Sequence, residues 1–237
     1  MATIRLPLLA RRTHKWLAVF VAAQAVIWTL SGLYMTAVHI DIIHGDHFVR
    51  MAEPRPIAPG EIVDPIGAAR SVPGAETLKL NWLQDRPTYI VSAGKTQALI
   101  DARTGARLPP PTKEEIRQLA DHWFTGRERL ARVALVHDLP GEVRGRTPPL
   151  WRAEFDGWNK PTLYFSPATG ELVTRRHELW RVFDFVWMLH IMDYDERENV
   201  NNWLLRGFTW AAVVMALSGA WLLIYSFPRR KRRKARP

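Results

Sequence analysis

The eight histidines are the side chains with the widest chemical range in this sequence, and they are unevenly spread. His39, His44 and His47 crowd into one stretch, His39-Ile40-Asp41-Ile42-Ile43-His44-Gly45-Asp46-His47. Imidazoles and carboxylates this dense suit zinc, copper or iron, so His39, Asp41, His44 and His47 are candidate metal ligands. The same stretch also reads as a polar turn, with Gly45 ending a short helix. Haem is the second chemistry. A b-type haem takes axial imidazoles from different elements and an apolar pocket. His39 and His190 are the best-placed pair, with Trp187 among the apolar walls and Arg181 as a partner for propionates. Interfacial histidines with their polar tips among lipid headgroups are the plainer alternative. His14 precedes the first apolar run, and His122, His137 and His177 fall in the central part of the chain.

Other chemistries have weaker support. Asp193, Asp195, Glu196 and Glu198 form an acidic run of the kind that is usually a solvated connection. There is no nucleophile triad, metalloprotease motif or phosphate loop. With no cysteine in the chain, disulfides, thiolate metal sites and thiol nucleophiles are excluded. No residue is assigned a catalytic role.

Two elements must position these histidines. Residues 16–38 form an uncharged apolar run, about 34 Å long as a helix and enough for a bilayer core. A second run covers 207–227. The formal charge of +10 belongs to their outer flanks. Arg5, Arg11, Arg12 and Lys15 lie in or at the edge of the first tail, residues 1–15. The second tail, 228–237, carries Arg229 to Arg236. Between the tails, 22 Lys and Arg face 23 Asp and Glu. A nucleic-acid-binding protein carries its charge on the folded body, so that class is set aside. Basic flanks favour the cytoplasm, which predicts both termini inside and the central domain on the far side. A shorter apolar stretch, 178–193, contains Arg181 and Asp184. It is expected to be an interfacial or core helix leading into the second span. Leu30-Ser31-Gly32 and Leu217-Ser218-Gly219 recur in the two spans and read as close helix packing.

The central chain follows a juxtamembrane and Pro-rich stretch, 39–60, and shows one pattern twice. Residues 61–108 begin with a short helix capped by Asp64, with Pro65 at its first position. Strand-like runs follow at 77–83, 88–92 and 97–100, closed by Asp101-Ala102-Arg103-Thr104-Gly105. Residues 112–174 begin with a helix carrying the Thr112/Glu115 capping box. Strand-like runs follow at 131–136, 150–155 and 162–165, closed by Ser166-Pro167-Ala168-Thr169-Gly170. The expected fold class is α+β: two helix-plus-three-strand antiparallel repeats flanked by two transmembrane helices.

This order and the closing Thr-Gly turns resemble the PepSY domain. The flanks resemble the PepSY-associated transmembrane helix family, through Arg12-Thr13-His14-Lys15-Trp16, the Ser-Gly pairs and the Leu-His stretch 179–194. The resemblance covers most of the chain. It implies a bacterial inner-membrane protein with a periplasmic domain, acting in electron transfer or as an accessory subunit in iron or ferric-siderophore handling. Haem b is the implied cofactor. The alternative is a non-catalytic periplasmic binding or regulatory module, or a small subunit docking on a larger membrane protein. The expected partners are the bilayer, another membrane protein or a second copy of the chain.

Overall fold

Both central repeats begin at a helix whose cap is written in the sequence. A computed structural model describes residues 6–50, 55–58 and 60–226 of the chain. Arg5, the first residues of the Pro-rich linker, Phe227 at the end of the second apolar run, and the basic tail lie outside the described residues. The chain divides into two units: one runs from Val38 to Phe183, and the other combines the chain up to Ala37 with the chain from Asp184 on.

The unit from Val38 to Phe183 holds both repeats. After two short helical turns, α2 (Ile40–His44) and Asp46–Phe48, the first repeat opens at α3 (Pro65–Arg70). The Asp64 carboxylate accepts the N–H groups of Ile66 and Gly67 at 3.2 and 2.9 Å, which satisfies two of the free donors of the first turn. β1 (Thr77–Leu83), β2 (Arg86–Ala93), β3 (Thr96–Asp101) and β4 (Arg107–Leu108) then form an antiparallel sheet in chain order. Tyr89, Val91 and Ile100 on one face of the sheet bury against Ala68 of α3. The second repeat opens at α4 (Lys113–Trp123), where Thr112 and Glu115 bond each other's backbone N–H reciprocally. Ile116, Leu119 and Ala120, at helical spacing, bury against Val133, Ala153, Phe155, Leu163 and Phe165. These strands are β5 (Leu130–Val136), β6 (Leu150–Phe155), β7 (Thr162–Phe165) and β8 (Leu172–Arg176), again in chain order.

Each sheet therefore has four strands where three were expected. The Thr-Gly turn does not end the repeat; it reverses the chain so that one more strand pairs beyond it. In the first turn the Asp101 side chain accepts the N–H groups of Arg103 and Thr104, and the Gly105 N–H bonds the Asp101 carbonyl. Ser166 and Gly170 repeat the device. Gly170 sits at φ +70°, and a Cβ there would lie 3.0 Å from the Leu119 side chain, so the turn needs glycine twice over. Burial raises the Asp101 carboxyl, but Arg86 and the two turn N–H groups outweigh it and hold the group below its ordinary range.

The other unit is helical. α1 (Leu6–Ala37) and α6 (Trp203–Ser226) each contain a stretch long and apolar enough to cross a membrane, Arg11–Ala37 and Trp203–Ile224. α1 starts ten residues before the expected span, because Pro7 falls in the first turn, where a helix tolerates proline, and no further proline or glycine intervenes before Trp16. α6 starts four residues before its expected span, at the Asn202 cap, whose Oδ1 accepts the Leu205 N–H at 2.8 Å. The two helices are antiparallel: His14 meets Ser218 and Phe20 stacks on Phe208, centroids 5.2 Å apart. His14, Leu17, Val21, Gln24, Trp28 and Ser31 alternate at spacings of three and four, and each is buried or half-buried. Trp16, Val19, Val26, Leu30 and Leu33 are exposed. α5 (Glu178–Ile191) begins in the sheet unit and ends in the helical one.

Candidate functional site

The Ser-Gly pairs of the two long helices each hold a histidine. In α1, Ser31 Oγ lies 2.7 Å from His190 Nδ1, on the last turn of α5. In α6, Ser218 Oγ lies 3.0 Å from His14 Nδ1, on the first turns of α1. Each serine hydroxyl also lies within donating reach of its own helix, Ser31 of Ile27 O and Trp28 O at 2.7 and 3.1 Å and Ser218 of Met215 O at 2.7 Å. A hydroxyl that gives its proton to such a carbonyl accepts from the imidazole. His14 Nδ1 is in addition 3.3 Å from Met215 O, an atom with no proton to give. The Met215 carbonyl favours the Nδ1–H tautomer at His14, and the same tautomer, with Nε2 free, suits His190 when the Ser31 hydroxyl turns to its own helix. Among the described residues, no hydrogen bond reaches Nε2 of either ring.

Gly219 makes room for the His14–Ser218 pair. A Cβ at this position would stand 3.1 Å from His14 Cε1, tighter than ordinary side-chain contact. Gly32, its counterpart beside Ser31, has nothing within 4 Å of where a Cβ would be. Seventeen residues separate His14 from Ser31 on α1, about 26 Å along the helix axis.

The His190–Ser31 pair is held by more than the serine. Gln24 Nε2 donates to Leu189 O at 3.2 Å and Trp28 Nε1 to His190 O at 2.8 Å. Asn202 Nδ2 donates to Ile191 O at 2.8 Å. These are the last carbonyls of α5, which a helix end leaves without partners. Met192, at φ +55°, turns the chain out of the helix. Trp187 lies nearly parallel to His190, centroids 6.4 Å apart, and donates through Nε1 to Arg197 O at 3.0 Å. Arg197 in turn pairs with Asp184.

The other sequence-level candidates lie in the sheet unit. His39 Nδ1 accepts the Asp41 N–H at 3.3 Å and lies 3.3 Å from the Asp41 carboxylate, both side chains being exposed. His44 ends α2, and His47 packs on Phe48, centroids 4.0 Å apart. Among the described residues, no three His, Asp or Glu side chains come together as a metal-holding group. Arg181 is bound to a buried carboxylate. Its Nε donates to Glu142 Oε2 at 2.5 Å and its Nη1 to Glu178 at 3.1 Å. The Tyr164 hydroxyl donates to Glu142 Oε1 at 2.5 Å. Burial pushes Glu142 up, and the hydrogen bonds from Arg181 and Tyr164 bring it below its ordinary value. Burial and the Glu142 bond push the Tyr164 phenol upward.

His177, between β8 and α5, is fully buried. Its Nε2 bonds Ile43 O at 3.1 Å, its Nδ1 accepts the Trp180 N–H at 3.4 Å, and its ring packs on Gly45. Burial pushes it down to about 4, so it is neutral and pins α2 to the start of α5.

Sequence reasoning named His190 and Trp187 but left out His14, Gln24 and Trp28, and read Ser31 and Ser218 as packing. The available signal was the polar residues at 14, 24 and 31, which share one seam of an apolar helix. No family model matches the chain, and neither a curated protein nor a solved structure matches it.

Proposed function

We propose that this chain is a membrane-anchored electron-transfer or accessory subunit that holds b-type haem on His190 and His14. Both termini are cytoplasmic, and a tandem PepSY-like domain lies on the periplasmic side of a bacterial inner membrane. The observation that carries the reading is the paired Ser–His geometry. Ligating imidazoles characteristically donate Nδ1–H to an oxygen acceptor and bind through Nε2, and both rings have a serine oxygen beside Nδ1. Ionisable side chains on apolar helices are expensive and are usually functional. The roughly 26 Å between the two sites along α1 approaches the thickness of a bilayer core, so they suit opposite leaflets. Haem bound at the two sites supplies one-electron chemistry. Each site offers one imidazole among the described residues, and a second copy of the chain is the simplest source of a second axial ligand. Iron or ferric-siderophore handling is the context that the PepSY resemblance supplies.

A second reading, a binding module, draws on the sheet edges. β1 and β8 are both edge strands, and a groove lined by Trp82, Trp123, Leu83 and Leu172 runs between them. An edge of this kind accepts an extended partner segment.

The visible spectrum of the protein purified from haem-replete membranes separates the two. The first reading requires a Soret band; a colourless protein leaves the second.

A further inference from the structure

We propose that Gln24 and Trp28 are positioning residues for His190, acting through the backbone of α5 rather than on any ligand. This rests on the reading of His190 as a ligand donor and adds what fixes its direction. Gln24 is only 6% exposed and carries the one amide on α1 that faces this seam. Gln24, Trp28 and Ser31 stand at spacings of four and three, so a single helix face grips three consecutive features of α5: Leu189 O, His190 O and His190 Nδ1. In an apolar setting an uncapped carbonyl costs several kcal/mol, so the last turn of α5 cannot rotate without losing these partners. Its rotation is what sets the direction of the His190 ring. Ser31 selects the tautomer; Gln24 and Trp28 keep the imidazole where that serine can reach it. Among the described residues the His14–Ser218 pair has no such grip on a helix end, and its ring is held by Ser218 and by the space at Gly219.

The test is histidine-selective nitrogen-15 NMR of the full chain in lipid nanodiscs without added haem. Wild-type protein should show His190 as a single Nδ1–H tautomer. Gln24→Leu with Trp28→Phe keeps the volume and raises the apolarity of the helix. In it the His190 signal should become a mixture of tautomers or broaden away, while His14 stays unchanged as the internal reference. An unchanged His190 signal in that variant overturns the proposal, as does a wild-type His190 protonated on Nε2. If the double variant disturbs His14 as well, the helical unit has been lost, and Trp28→Phe alone decides by the same two outcomes. In haem-loaded protein the variants should hold haem more weakly than wild type, as the loss of the Ser31 partner would. A colourless wild-type protein refutes the haem reading, while the NMR result still decides the positioning role.

Discussion

Ser31 Oγ sits 2.7 Å from His190 Nδ1 and 2.7 Å from the Ile27 carbonyl, so a serine that gives its proton to its own helix accepts from Nδ1 and leaves Nε2 free. Outer partners of this kind tune ligation without touching the ligated atom. Ser31→Ala should leave the helices folded and weaken haem retention about 10- to 100-fold. A haem titration of the apoprotein measures this. Retention equal to wild type would show that the hydroxyl has no part in the site.

Gly219 and Gly32 should respond oppositely to the same change. Alanine at either position favours helix by about 0.5–1 kcal/mol. At Gly32 there is open space, so Gly32→Ala should be neutral or stabilising. At Gly219 the new methyl meets His14 at 3.1 Å and should cost about 1–3 kcal/mol through overpacking. Thermal unfolding of the two variants in nanodiscs reads the difference. Equal effects would mean that the His14 ring does not occupy the space at Gly219.

Arg181 is expected to matter for folding rather than for a cofactor. Arg181→Met leaves Glu142 buried without its main partner and should cost about 3–5 kcal/mol of domain stability. Adding Glu142→Gln should return part of that loss. Chemical denaturation followed by tryptophan fluorescence checks both. A stable Arg181→Met protein with altered haem absorbance would instead return Arg181 to the haem site.

The sheet unit should lose stability on acidification in a defined window. His177 is pushed down to about 4 in the folded protein against about 6.5 unfolded, so the unfolded chain binds the extra proton between those values. Stability should be flat above about pH 6.5 and fall by about 3 kcal/mol as pH drops to about 4. Glu142, lowered by Arg181 and Tyr164, adds a further loss below the ordinary carboxyl range. His177→Gln should flatten the upper part of that slope. Denaturation curves recorded across the window test this, and an unchanged slope in the variant would assign the loss elsewhere.

Much of this architecture was legible locally. Asp64, the Thr112/Glu115 box and the alternation of 150–155 carry their own geometry, and the elements they announce are present. β4 escaped because it is two residues followed by three prolines, and β8 because Leu172-Val173-Thr174-Arg175-Arg176 is too polar to read as sheet. Both exist through pairing with a neighbour, not through their own pattern. The site was half legible for a related reason. His190 stands out by type in an apolar helix, but its partner Ser31 is 159 residues away, and nothing local marks the contact. His14 looked like part of a basic flank until α6 brought Ser218 to it.

Haem per chain, measured on purified wild-type, His14→Ala, His190→Ala and doubly substituted protein, decides whether His14 and His190 hold haem through Nε2. Each single substitution should remove a distinct part of the bound haem and the pair should remove it all, while His39→Ala keeps the wild-type amount. Haem content unchanged in the double variant, or no haem in the wild type, would contradict it.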